Sequence, residues 1–473
     1  MITINADNRR FVKRVVRSIS ISMAVMGICI FTVEKKVHAQ IELKGITTAP
    51  NLAGSFNGES LPRDSGFNEP LDLLNDFYPS IEVRLQNHSN IQRRSDVENS
   101  DTKLIVAPTL GYRTNIGRHG FYAAYTGSFE RHEDFTQEDS NSHNVNLKLG
   151  LDLSKRWDLD LFGGFGTARE ERGVSGTRDF FLTVEDGVFV DQGPDRVSYD
   201  GVGFDLIYGR KLGKLVAVLG YERGSSSFRS ETGSVIVGGN RDRDTESVHF
   251  DVDYSFAGNT SVFARIEYNE VDFDRFDASL DSNETEWLVG MRIKATSRLS
   301  GVIGYGGIDR DFDDSSLNGF DGNTYYANLT YAITPFSTVQ FGASRSVEEP
   351  SSAGDGSFFT SELFSLSWQH ALTDNLVFDS FVKTLDDDFD NGRRDEFFDW
   401  GLGLDYALEP WLTLGAYYED IDRDSNTDGV AYEDRVFGIR LKSDLRPLLS
   451  RQRARKNPEP ISFGSSKRST ATQ

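Results

Sequence analysis

Residues Asn144–Gly166, NVNLKLGLDLSKRWDLDLFGGFG, hold two alternating runs joined by Ser154–Trp157. In the first run Val145, Leu147, Leu149, Leu151 and Leu153 share one face of an extended chain, while Asn144, Asn146, Lys148, Gly150 and Asp152 share the other. Side chains of a strand alternate between faces, so a period of two marks a strand with one apolar and one polar face. Read alone, this hairpin would put its leucines in a protein core.

The same alternation recurs along the chain. It appears at Leu104, Val106, Leu110 and Tyr112, at Val248, Phe250, Val252, Tyr254 and Phe256, and at Trp287, Val289, Met291 and Ile293. It returns at Trp400, Leu402, Leu404, Tyr406 and Leu408, opposite Asp399, Gly401, Gly403, Asp405 and Ala407. About 18 such segments of roughly 10 residues fit between Ser80 and Leu445, and that is the length a tilted strand needs to cross a bilayer. The connections alternate too. Tight ones (NIGRHG at 115–120, SKRW at 154–157, KLGK at 211–214, AGNT at 257–260, LTDN at 372–375) separate long acidic ones such as RHEDFTQEDSNSH, DRDFDDSSLNGFDGN and TLDDDFDNGRRDE. Short periplasmic turns and long external loops are the asymmetry of outer-membrane barrels.

A soluble propeller is the main competitor, because the tight turns recur about every 40 residues in the second half. A blade needs four short strands in that interval, and here only two long ones fit. A sandwich of such uniform hairpins would leave two long open edges, which a closed barrel lacks. The expected fold is therefore an all-β, antiparallel, up-and-down transmembrane β-barrel of about 18 strands, with 16 as the lower bound. Tyr112, Trp157, Tyr208, Tyr268, Trp287, Tyr331, Trp400, Trp411 and Tyr418 lie near segment ends, as interfacial aromatic girdles require.

The chain of 473 residues carries a formal charge of -22, with 12% aromatics and 44 glycines. Such acidity disfavours nucleic-acid phosphates as partners. The single cysteine, Cys29, lies in an N-terminal segment with the form of a secretory signal. That segment has a basic region (Arg9, Arg10, Lys13, Arg14, Arg17), an apolar stretch from Ile19 to Val33 and Val-His-Ala at 37–39. The sequence thus divides into a cleaved signal peptide (1–39), a periplasmic lead-in (40–79), the barrel (80–445) and a basic periplasmic tail (446–473).

On this register the polar face carries Lys148, Asp158, Asp160, Asp205, Glu222, Asp251, Asp253, Arg265, Glu267, Arg292, Lys294, Asp379, Lys383, Asp405 and Arg440, the expected lining of a hydrated pore. Two loops, 174–196 and 229–243, hold strand-like material. FFLTVEDGVFV (180–190) reads as a hairpin around Asp186-Gly187, and SVIVGG (234–239) as a short strand. Each could fold inward as a constriction or, in the commoner case, prolong the wall. Asp420, Asp422 and Asp424 alternate like calcium ligands, but Ser425 stands where an EF-hand loop needs glycine. The histidines are scattered and no HExxH or G-x-S-x-G motif occurs, so no catalytic residue, metal or cofactor is expected.

Residues 90–173 go beyond architecture. Asn90-Ile91, Ser100-Asp101, Pro108, Gly117-Arg118, Tyr125, the Asp139-to-His143 stretch and Arg172-Gly173, with Pro194 beyond, make the region resemble the β-barrel porin family found with exopolysaccharide and capsule gene clusters. The resemblance implies an outer-membrane barrel linked to polysaccharide export or surface attachment, and it transfers no catalytic residue. One departure concerns the last strand, whose assembly signature of a polar residue, glycine and spaced apolar residues fits Asp399, Gly401, Leu404 and Tyr406 better than Val436 to Leu445. The functional expectation is a passive hydrophilic channel in the bacterial outer membrane. Its expected partners are membrane lipid, lipopolysaccharide, polysaccharide and export machinery. The competing expectation is a structural or adhesive barrel with a closed lumen and acidic external loops.

Overall fold

In the opening stretch, Leu153 and Ser154 donate their backbone N–H groups to the Trp157 carbonyl, at 3.1 and 3.0 Å. The Ser154 hydroxyl accepts from the N–H groups of Arg156 and Trp157, both at 3.2 Å. A serine that satisfies its own turn closes the hairpin tightly. In this computed structural model the turn joins β4 (Ser140–Asp152) to β5 (Trp157–Arg169), and Leu149 faces Leu161 across the pair. The structure describes residues 76–174, 182–185, 188–191, 194–210, 213–229, 241–257, 260–274, 280–293, 298–350 and 356–445.

Three strands precede this hairpin: β1 (Asp76–His88), β2 (Asp101–Ile116) and β3 (His119–His132). A short pair, β6 (Leu182–Glu185) and β7 (Val188–Asp191), follows it. The wall continues through β8 (Arg196–Tyr208), β9 (Leu215–Arg229), β10 (Arg243–Ala257), β11 (Thr260–Phe273), β12 (Ser282–Ile293) and β13 (Leu299–Phe312). It is completed by β14 (Phe320–Thr334), β15 (Ser337–Glu348), β16 (Phe359–Ala371), β17 (Leu376–Phe389), β18 (Arg394–Glu409), β19 (Leu412–Ser425) and β20 (Tyr432–Asp444). All wall strands pair antiparallel with their neighbours, and β20 returns to pair with β1 from Ser80↔Asp444 to His88↔Val436. The result is a closed sheet of 18 strands.

Burial is inverted relative to a water-soluble protein. Leu147, Phe250, Ile266, Trp287, Leu404 and Ile439 are exposed, whereas Asp160, Asp205, Asp251 and Glu267 are buried. Only a wall with lipid outside and polar groups inside makes that pattern favourable. The aromatic pairs Trp157–Tyr208 (ring centroids 5.0 Å apart) and Trp400–Tyr418 (5.5 Å) lie toward opposite ends of the wall, where amphipathic rings meet the bilayer interfaces.

The described part of the wall already includes Asp76–Pro79, ahead of Ser80, and exposed Phe77 continues the outward stripe of Ile81 and Leu85. The hairpin read at 180–190 is present as β6 and β7, which among the described residues pair with each other as a two-stranded sheet apart from the 18-stranded wall. The weak C-terminal signature notwithstanding, β20 is a full wall strand, held on both sides by β19 and β1. Residues 1–75, Lys294, the stretch 234–239 and the tail from 446 lie outside the described residues.

Candidate functional site

The inner wall has three sectors, distinguished by what its polar groups bond to. On β4 to β12, Lys148 (3.1 Å) and Arg210 (2.8 Å) both reach Asp160. His249 lies 3.3 Å from Asp205 and 3.6 Å from Asp251, while Arg265 reaches Asp251 at 3.8 Å and also pairs with Glu267. Arg292 meets Asp253 at 2.9 Å, and the Ser261 hydroxyl donates to the same carboxylate at 2.7 Å. Glu222 lies within electrostatic reach of Glu267, Asp205 and Arg265, and Asp158 is buried near the periplasmic end of β5. A second charged sector runs from β17 to β1. There Arg440 bridges Asp405 (2.8 Å) and Asp379 (2.9 Å), and Lys383 meets Asp399 at 3.3 Å.

Every described residue of the charged set read from the sequence therefore sits on the inner face, and most have a partner of opposite sign. Bringing two ions together against the wall repays their lost hydration only through such pairing. Between these sectors lie β13 to β16, whose inward positions at membrane level include Gly304, Tyr326, Asn328, Gln340, Ser365 and Ser367 and carry no charge. The charged set read from the sequence passes over this sector, from Lys294 to Asp379, because that set contains ionisable residues only.

The extracellular mouth is a separate construction. After β5 the chain turns inward and residues 170–173 tie together distant parts of the rim. Arg241 donates two hydrogen bonds to Glu170, each 2.8 Å, and a third to Asp195 at 3.2 Å. Arg172 donates to Glu138 of the β3–β4 loop, at 2.7 and 3.0 Å. Arg93 of the β1–β2 loop pairs with Glu171 at 2.8 Å and donates to the Arg172 carbonyl at 2.7 Å. Gly173, at a φ of 68° that favours glycine, presents its carbonyl to the Tyr432 hydroxyl of β20 at 3.0 Å. Asp434, fully buried, accepts from the Asn90 N–H at 3.0 Å and meets His88 Nδ1 at 2.7 Å.

Part of the set behind the family resemblance converges in space, whereas Gly117-Arg118 forms the β2–β3 turn at the opposite end and Pro108 and Tyr125 lie within the wall strands. Asn90, Asp101, Asp139, Arg172, Gly173 and Pro194 all belong to this mouth, where Arg169 donates to the carbonyls of Pro194 (2.9 Å) and Asp139 (2.6 Å). A family model described as "Putative beta-barrel porin 2" matches residues 77–444, essentially the whole wall and mouth. The chain belongs to that family. It is a porin-type barrel of the bacterial outer membrane, seated in membrane lipid.

Solved structures similar to this porin include Pseudomonas aeruginosa OpdK with vanillate, at 13% identity and a TM-score of 0.45 over 79% of this chain and 100% of that one. Pseudomonas aeruginosa OccK2 (OpdF) in complex with glucuronate aligns at 13% identity and a TM-score of 0.43, over 78% of this chain and 98% of that one. The siderophore receptor PirA from Acinetobacter baumannii aligns at 9% identity and a TM-score of 0.42, over 79% and 81%. No curated protein matches the chain.

On the far side of the porin mouth, Arg310 bridges Glu284 (2.6 Å) and Glu349 (3.0 Å), and Arg243 lies 3.9 Å from Glu349. Burial alone would raise the Glu349 carboxyl, but Arg310 and Arg243 beside it hold it below the ordinary carboxylate range. A depressed folded pKa gives stability that is present above the unfolded pKa and is lost as pH falls through the folded value. Hydrogen exchange of residues 343–349 is therefore expected to accelerate on acidification below the ordinary glutamate range. Glu349→Gln should flatten that dependence, and an unchanged pH profile in the variant would remove Glu349 as its cause.

Proposed function

We propose that this porin is a passive channel for hydrophilic solutes, serving the export of an exopolysaccharide or its attachment to the cell surface. The observation that carries the channel reading is water access to the inner wall: Tyr326 is 38% exposed, and Asn328 beside it is exposed too, although both face the lumen. A closed sheet of 18 strands is in the size range that leaves an aqueous path. The link to exopolysaccharide draws its support from the residues 90–173 that resemble the capsule-associated porins. No catalytic step enters the reading.

The purified porin in a planar bilayer should give stable, weakly voltage-dependent steps in KCl, and a strain lacking it should retain exopolysaccharide that the wild type releases or displays. A second reading, a structural or adhesive barrel with a closed lumen, draws on the buried ion pairs that strap the mouth through residues 170–173. Silent bilayers, together with loss of surface attachment when the acidic loops are shortened, would favour it.

A further inference from the structure

The charge-free sector of the inner wall differs from its flanks in a second respect. In the charged sectors the donors and acceptors are engaged with one another: Arg292 with Asp253 on one side, Lys383 with Asp399 on the other. Across β13 to β16 the side-chain hydroxyls and amides of Tyr326, Asn328, Gln340, Ser365, Ser367 and Gln369 show no protein partner among the described residues. They are not sealed from water either, since none of their polar atoms is among the buried unsatisfied ones. The adjoining wall is kept low by glycine. Gly342 lies against the Ser365 hydroxyl, where an added Cβ would approach to 2.5 Å, and Gly304 lies against the Phe263 ring, where one would approach to 3.2 Å. A strip of free amides and hydroxyls therefore runs beside one exposed aromatic ring.

We propose that this strip, centred on Tyr326, Asn328 and Gln340, is the specificity-determining track of the lumen, and that it takes uncharged polyhydroxylated solutes, neutral saccharide chains above all. The proposal rests on the channel reading and names its substrate class. A sugar hydroxyl both donates and accepts, so it exchanges one water for one amide or hydroxyl without stranding a charge. The apolar face of a sugar ring covers the tyrosine ring and sheds water there. Among the described residues an anionic saccharide meets no free countercharge on this sector, because Arg292 on one side and Lys383 on the other are already paired, and it also meets the repulsion of a chain carrying a formal charge of -22. A hydrogen-bonding track favours the solute that matches it and penalises one that must lose hydration unpaired.

The test uses the full-length porin in planar bilayers and proteoliposomes, with a neutral gluco-oligosaccharide and an oligouronate of equal length as probes. The neutral oligomer is expected to interrupt the KCl current and to permeate about 5- to 10-fold faster than the oligouronate, the range of a single net hydrogen bond. Tyr326→Ala and, independently, Asn328→Ala combined with Gln340→Ala should weaken the neutral oligomer's block about 3- to 10-fold while leaving KCl conductance within about a factor of two. Asn328→Asp should depress passage of the oligouronate further. Equal passage of the two oligomers, or block unmoved by both sets of variants in a conducting channel, would overturn the track and leave the channel intact. Absence of KCl conductance would overturn the channel reading and the track with it.

Discussion

Leu147→Arg is expected to destabilise the porin in lipid vesicles by about 2–4 kcal/mol, and Leu153→Arg by about 0–1 kcal/mol. Leu147 lies midway along β4, flanked by Ala123 and Gly163 on the neighbouring strands, and points outward. An arginine there must stay in hydrocarbon or drag its stem toward an interface several residues away. Leu153 shares the same outward stripe but lies just past the end of β4, beside the interfacial ring of Trp157, so the same charge reaches water at little cost. The gradient with depth is the signature of lipid, because a protein core would penalise an arginine at any buried position along the stripe. Asn146→Arg, one residue away but facing the lumen, should cost less than about 1 kcal/mol. Denaturant titrations of the three variants in vesicles measure the series. A flat profile along the stripe, or a cost at Asn146 matching that at Leu147, would refute the assignment of faces.

That assignment was legible from one hairpin because it is local information. A period of two fixes which residues share a face, and the alternation of tight and long connections decides which face is wet. Whether an inward charge faces water or another side chain is not local. Arg440 finds Asp379 and Asp405, 61 and 35 residues away, and Arg210 finds Asp160 at a separation of 50. No spacing rule links such pairs, so a reading by charge placed Lys148, Asp160, Arg265 and Arg440 on the inner face without showing that each is paired along it. The neutral sector was illegible for the opposite reason. Serine, asparagine and glutamine on alternate positions look like any solvated strand face, and only their lack of partners among the described residues sets them apart. The mouth was carried by loop residues without periodicity, although Asn90, Arg172 and Gly173 were already marked by the family resemblance.

Arg241→Ala should release the inward-turned segment 170–173, with a local cost of about 3–5 kcal/mol, the range for stranding a buried charge. Arg241 is almost completely buried, its guanidinium lies 4.2 Å from the centre of the Phe228 ring, and it holds both Glu170 and Asp195. Those two carboxylates stand at the two ends of the connection that carries the β6–β7 hairpin, and the Glu170 N–H also donates to the Asp195 carbonyl at 2.9 Å. One side chain therefore closes the stem of a long loop, and its removal leaves two anions facing each other without a cation. Hydrogen exchange at 169–174 and 195–198 should rise by about two to four orders of magnitude, while exchange in the membrane-level parts of β4 and β5 stays unchanged. Arg241→Lys should fall between the two proteins, since it keeps the charge and loses the fork that bonds Glu170 at both oxygens. Removing the anions as well, in Glu170→Gln, Asp195→Asn, Arg241→Met, should restore much of the protection, because an apolar replacement of a buried ion cluster costs little once no charge is left behind. If the mouth is what restricts the lumen, single-channel current rises in Arg241→Ala and returns toward the original level in the triple variant. Protection at 170–173 that survives Arg241→Ala would show that the rim is held by Arg93 and Tyr432 instead, and that the arginine clamp is incidental.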